Sequence, residues 1–169
     1  PDIEVIALTF SGTGMAHCPA ATKNASALLE RIDAPDIPVA CGRTEPLEGD
    51  NQAPEVWRSS ADTLGGVDLP EPRSFSADGA VDLMRKTIED AEGNITLVAL
   101  GPLTNLASVL KADPGIPDQV RMLYWYNDAH DQDDFNHAGD PASAGMLLES
   151  GFRLTRISAA GQRLEKLNP

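Results

Sequence analysis

Five short apolar runs rich in β-branched residues alternate with stretches of helical periodicity, and that alternation restricts the fold more than any other feature of the chain. The runs occupy residues 3–10, 37–41, 95–100, 121–126 and 153–158. Between them, Ala25, Leu28, Leu29 and Ile32 fall on one helical face, as do Val81, Met84, Ile88 and Ala91. Pro102 stands at the first position of a helix carrying Leu103, Leu106, Val109 and Leu110, and Pro114 stops it. Asp140-Pro141 reads as N-cap and first helical residue of a helix through Leu148, with Gly151 as its C-terminal stop. Residues 42–76 hold many of the Pro and Gly residues and read as loop, with a short helix near Trp57. Strands alternating with helices require crossover connections. The chain is therefore predicted to be α/β, a mostly parallel open sheet with helices on both faces. The run 3–10 is apolar enough to be expected under cover on both faces.

The 169 residues suit a single domain, read here as one partial α/β domain over 1–169. Lys plus Arg is 13 and Asp plus Glu is 26, giving a net charge of −13. Such a balance speaks against a nucleic-acid or anionic-membrane partner, since both call for basic surfaces. The apolar runs are too short to span a bilayer, no signal-peptide pattern is visible, and a chain starting at Pro1 gives no address. Two cysteines lack metal-site spacing. Cys18 and Cys41 read as two buried thiols of a reducing compartment, the cytoplasm, or as one disulfide, which would point to export. Each follows the carboxyl end of a strand, so the two are expected to lie close together.

In an open α/β sheet the ligand site lies beyond the carboxyl ends of the strands. Residues 11–18 follow the first run, Cys41-Gly42-Arg43 the second, Gly101-Pro102-Leu103-Thr104-Asn105 the third and residues 127–137 the fourth. All three histidines, His17, His130 and His137, fall on this rim. Gly12-Thr13-Gly14 is not a full dinucleotide fingerprint, and the acidic run 128–134 lacks the central Gly and terminal Glu of an EF-hand loop.

The stretch Ile95-Thr96-Leu97-Val98-Ala99-Leu100-Gly101-Pro102-Leu103-Thr104-Asn105-Leu106-Ala107 closely resembles the signature of the inosine–uridine-preferring nucleoside hydrolases. Lys23-Asn24-Ala25, Asp62-Thr63-Leu64-Gly65-Gly66, and Asp134-Phe135-Asn136 followed by Asp140-Pro141 are similar to further segments of that family, in the same order. The resemblance implies a Ca²⁺ ion at the floor of the site that grips the ribose diol while a carboxylate activates water. By position, the resemblance implies the Leu100 backbone carbonyl as a Ca²⁺ ligand. It also implies that Asp134 and Asn136 hold ribose hydroxyls with Phe135 packing beside them, and Thr13 is a further expected substrate-binding residue. The family's Asp-rich opening motif, with most Ca²⁺ carboxylates and the general base, is expected upstream of Pro1. Its later His-Asp element is expected beyond Pro169. Ser59 stands where many members place a His before Gly, Thr13-Gly14 where they place an Asn, and Trp125-Tyr126 where a Gly-Gly is usual.

These readings imply Ca²⁺-dependent hydrolysis of ribonucleosides to ribose and base in the full-length protein. A non-catalytic ribosyl-binding protein with a degenerate site is the alternative. The expected partners are a nucleoside or ribosyl ligand and further copies of the chain, as a dimer or tetramer.

Overall fold

The computed structural model describes residues 3–72, 79–127 and 134–158. In chain order they form β1 (Leu8–Phe10), α1 (Cys18–Arg31), β2 (Val39–Cys41), α2 (Glu55–Asp62), α3 (Ala80–Asp90), β3 (Thr96–Ala99) and α4 (Thr104–Ala112). There follow α5 (Ile116–Gln119), β4 (Met122–Tyr126), α6 (Phe135–Ala138), α7 (Pro141–Leu148) and β5 (Leu154–Ile157). Every apolar run contributes a strand and every pairing is parallel, so the architecture is α/β.

The strands divide into two sheets. β1 pairs with β2, matching Leu8 to Val39 and Phe10 to Cys41. The order β3-β4-β5 makes the second sheet, matching Thr96 to Met122 and Leu123 to Leu154. Helix α3 packs against both β1 and β2 as well as α4 and α5, and so underlies the junction. The main core gathers around β3 and β4, where Leu103, Leu106, Val109, Leu123, Trp125 and Leu147 are buried.

The first run is shorter as a strand than its sequence implies, and it is not covered on both faces. Only Leu8–Phe10 enter a ladder, while Ile3 is 86% exposed and Val5 and Ile6 are exposed. Pro38 ends the partner strand because it has no N–H to donate. Among the described residues nothing pairs with the second edge of β1 or of β3. Val98 of β3 is 62% exposed and Leu100 beyond it 72%. These are the two edges between which a doubly wound sheet places another strand.

Three local expectations also need correction. Leu28 and Ile32 are exposed; α1 buries Cys18, Ala21, Thr22, Ala25 and Leu29 instead, a mostly small-residue face that lets the helix approach β2. Helix α4 begins at Thr104 with Leu103 at the N-cap, so Pro102 lies outside it. Helix α7 ends at Leu148 with Glu149 at its C-cap in right-handed conformation, and Gly151 has no positive φ. Its start is as read: Pro141 is the first residue and the Asp140 carboxylate accepts the Ser143 N–H at 3.0 Å. The short helix near Trp57 is α2.

Cys18, first residue of α1, and Cys41, last residue of β2, form a disulfide with Cα atoms 5.5 Å apart. The free-thiol reading is thereby overturned. Closing a loop of 23 residues' separation restricts the unfolded chain by about 3 kcal/mol. In the full-length protein, replacing both cysteines by alanine should lower the unfolding free energy in urea by about that amount; an unchanged midpoint would contradict it. The unpaired edges generate a second expectation. Isolated residues 1–169 should lack a cooperative, monomeric thermal transition, and a sharp monomeric melt would show that the edges need no partner.

Candidate functional site

The carboxyl ends of the strands bring together residues 11–17, 42–47, 100–104 and 134–140. What fixes them is a run of buried polar bonds. The Asp140 carboxylate is fully buried. Its Oδ1 accepts the Ser143 N–H, while its Oδ2 accepts the Leu47 N–H at 3.0 Å and the Thr104 hydroxyl at 2.7 Å. Thr104 Oγ1 lies 3.0 Å from Thr13 Oγ1, which in turn bonds Ser11 Oγ. One carboxylate thus ties the loop after β2 to the start of α4, and through Thr104 to the loop after β1. Thr13, read as substrate-binding, is buried, and its hydroxyl bonds these two neighbours inside the protein.

Asn136 is buried in α6, and its Nδ2 donates to the carbonyls of Leu100 at 3.2 Å and Tyr126 at 2.8 Å. The side chain therefore clasps the carboxyl ends of β3 and β4. An amide nitrogen carries two hydrogens, so Oδ1 is the atom Asn136 has left to offer a ligand, as an acceptor. Asp134 is the N-cap of α6: its Oδ1 accepts the N–H groups of Asn136 at 2.9 Å and His137 at 3.3 Å, and the Asn127 Nδ2 at 2.9 Å. Asp134, and not Asn136, is therefore the residue that caps α6. Phe135 is the half-buried first residue of α6. The structure thus brings Leu100, Asn136 and Asp134 together and sets Thr13 beneath the neighbouring loop.

Two features of the rim escape sequence reading. Asn105 donates to the Phe10 carbonyl at 2.7 Å, and its Oδ1 sits where a Cβ on Gly42 would come within 1.9 Å. Only glycine fits there. Arg58 is 2% exposed, donates to the Gly12 carbonyl at 2.8 Å and leaves its Nε without an acceptor. Neither contact spans a helical or strand spacing, so no periodicity reveals it. Ser59 donates to Glu55 at 2.8 Å. Trp125 is fully buried, with Nε1 donating to the Gly101 carbonyl at 3.2 Å. His130 and most of the acidic run 128–134 lie outside the described residues. A cleft of about 340 Å³ lined by Ile6, Pro38, Leu83 and Thr87 sits at the amino ends of β1 and β2, away from this rim.

The chain matches the family model described as inosine-uridine preferring nucleoside hydrolase over residues 1–163. It is 32% identical over 165 residues to uridine nucleosidase 1 of Arabidopsis thaliana, covering 93% of this chain and 49% of the relative. It is 33% identical over 162 residues to the pyrimidine-specific ribonucleoside hydrolase RihA of Klebsiella pneumoniae, covering 90% and 50%. A solved plant nucleoside hydrolase superposes with a TM-score of 0.75 at 31% identity, covering 95% of this chain and 53% of that one. The fold alone is shared with a purine-preferring ribonucleoside hydrolase from Gardnerella vaginalis, with a TM-score of 0.78 at 24% identity over 94% and 53%. The chain spans about half the length of the curated relatives it matches.

Asp140 should be the residue whose loss disturbs this rim most. Asp140→Ala removes a helix cap and leaves three donors unpaired, a loss of about 3 kcal/mol. Asp140→Asn, which keeps one acceptor oxygen, should cost about half as much. Urea denaturation of the full-length variants measures both, and equal stability of Asp140→Ala and wild type would remove Asp140 from the hub.

Proposed function

Because the chain belongs to the inosine-uridine preferring nucleoside hydrolase family, we propose that the full-length protein hydrolyses the N-glycosidic bond of ribonucleosides, giving ribose and free base. The observation that carries this reading is the convergence of the Leu100 carbonyl, the Asn136 amide and the Asp134 carboxylate at the carboxyl ends of β3 and β4. Asn136 Oδ1 accepts one ribose hydroxyl and Asp134 another, which orients the sugar over the rim.

The relatives' descriptions name both pyrimidine and purine nucleosides. Calcium belongs to the proposal through Leu100. A carbonyl oxygen has two lone pairs, so it can accept from Asn136 and still face a hard cation. Calcium takes about six to eight oxygens. Among the described residues no three His, Cys, Asp or Glu side chains cluster to hold a metal. The remaining oxygens, and the general base, come from outside the described residues. When bound, the ion supplies Lewis-acid orientation of the ribose diol and water.

A second reading, ribosyl binding without catalysis, is favoured by the three altered positions. Thr13 turns into the protein, Ser59 bonds Glu55, and Trp125 is core. Release of ribose separates the two. The full-length protein should liberate ribose from uridine or inosine and lose that activity with chelator. Binding of ribose with no release would favour the second reading, and neither would overturn both. In the same assay Asn136→Ala should lower kcat/KM about 10-fold or more, as expected for one lost buried hydroxyl partner. Unclasping two carbonyls should also lower its Tm. Full activity in Asn136→Ala would take the residue out of the site.

A further inference from the structure

We propose that Asn94 is a site of N-linked glycosylation, taking an oligosaccharide on its side-chain amide nitrogen. The acceptor triplet is Asn-X-Ser/Thr with X other than proline, and it serves only where the chain lies at the surface. Two such triplets stand in the sequence, Asn24-Ala25-Ser26 and Asn94-Ile95-Thr96. The structure tells them apart.

Asn24 lies within α1, half-buried, and its Nδ2 donates to the Asp62 carbonyl at 2.8 Å. The nitrogen that would take the sugar is engaged there, and the helix keeps the triplet from extending. Asn94 has neither obstacle. It lies between α3 and β3, just ahead of the strand that starts at Thr96. Its backbone N–H donates to the Ala91 carbonyl at 2.9 Å, closing a turn in which Glu92 and Gly93 take positive φ of 49° and 82°. Glu92, Gly93 and Asn94 are all exposed, and a Cβ on Gly93 would meet nothing within 4 Å. Among the described residues the Asn94 side chain has no hydrogen-bond partner. Its Nδ2 is open to reaction.

Ile95 supplies the geometry. Its side chain is buried in the main core, and its carbonyl accepts the Arg121 N–H at 2.9 Å. Successive side chains of an extended chain point to opposite sides. With Ile95 pointing in, Asn94 and Thr96 point out together, and Thr96 is exposed as well. The amide and hydroxyl of the triplet are thus presented side by side to solvent.

A second, independent observation concerns the compartment. N-linked transfer takes place where disulfides persist, in an oxidising lumen or beyond the cell membrane, and Cys18 and Cys41 are joined. The position also leaves the rim clear. Asn94 stands at the amino end of β3, whereas Leu100, Asn136 and Asp134 meet at the carboxyl ends of β3 and β4. A bulky, solubilising glycan fits at such a place.

The step balances. The co-reactant is an oligosaccharide linked through a diphosphate to a polyisoprenoid lipid. Asn94 Nδ2 bonds to C1 of the first sugar, and the bond from C1 to the diphosphate oxygen breaks. The electron pair leaves with the lipid diphosphate, and Nδ2 gives up one proton. Nothing is oxidised or reduced.

The test uses the full-length protein isolated from the cells that make it. Peptide-N-glycosidase in heavy-oxygen water converts each glycosylated asparagine to a heavy-oxygen aspartate, which mass spectrometry of the peptides locates. Label should appear at position 94 and be absent at position 24. Made in the same cells, Asn94→Gln and Thr96→Ala should each migrate on a denaturing gel like the deglycosylated wild type, whereas Thr96→Ser should keep the slower band. The Thr96 pair separates loss of the acceptor triplet from a folding defect, because both replacements shorten the same exposed side chain. An unlabelled Asn94 in the wild type, label at Asn24, or a glycan that survives Thr96→Ala would each overturn the proposal.

Discussion

The rim depends on one buried charge. Asp140 has no cation beside it among the described ion pairs, and among the described residues its carboxylate accepts hydrogen bonds from Ser143, Leu47 and Thr104. Burying an ion costs several kcal/mol unless its lone pairs are satisfied, so these donors are a condition of the fold. The consequence reaches function. Donors 36 and 93 residues away in sequence meet on one oxygen, which ties three rim segments together. Thr13, bonded to Thr104, is carried with them. A site built on loops gains positional precision only from such support.

A second constraint acts at the sheet. With β1-β2 and β3-β4-β5 as separate ladders, the two sheets are joined by α3 and by polar bonds at their carboxyl ends. Asn105 reaches from α4 to the Phe10 carbonyl, and Thr104 reaches Thr13. Val98 of β3 and Leu100 just beyond it are exposed apolar residues, as are Val5 and Ile6 ahead of β1. Unpaired edges of this kind are normally covered or paired. The carboxyl ends are organised by hydrogen bonds among the described residues themselves.

Much of this was legible in the sequence, for identifiable reasons. Short apolar runs marked all five strands, because strand burial is written in local composition. Strand lengths were not legible: residues 3–7 have strand chemistry, but pairing needs a neighbour. The α1 face was misassigned because Leu28 and Ile32 outweigh alanines in a periodicity, whereas close packing on β2 favours the alanines. Helices α5 and α6, four residues each, are too short to show a period. Asp140 was visible as a cap through Pro141, but its second oxygen bonds partners that no spacing could name. The resemblance drew attention to Asn136, and the structure adds that its nitrogen is already engaged by Leu100 and Tyr126.

The central claim is that the carboxyl ends of β3 and β4, with α6, form a ribose-binding rim. A crystal structure of the full-length protein soaked with ribose tests it most directly. The account predicts a ribose hydroxyl about 3 Å from Asn136 Oδ1 and a second near the Asp134 carboxylate, on the side faced by the Leu100 carbonyl. Ribose bound elsewhere, or a rim left empty at saturating sugar, would contradict it.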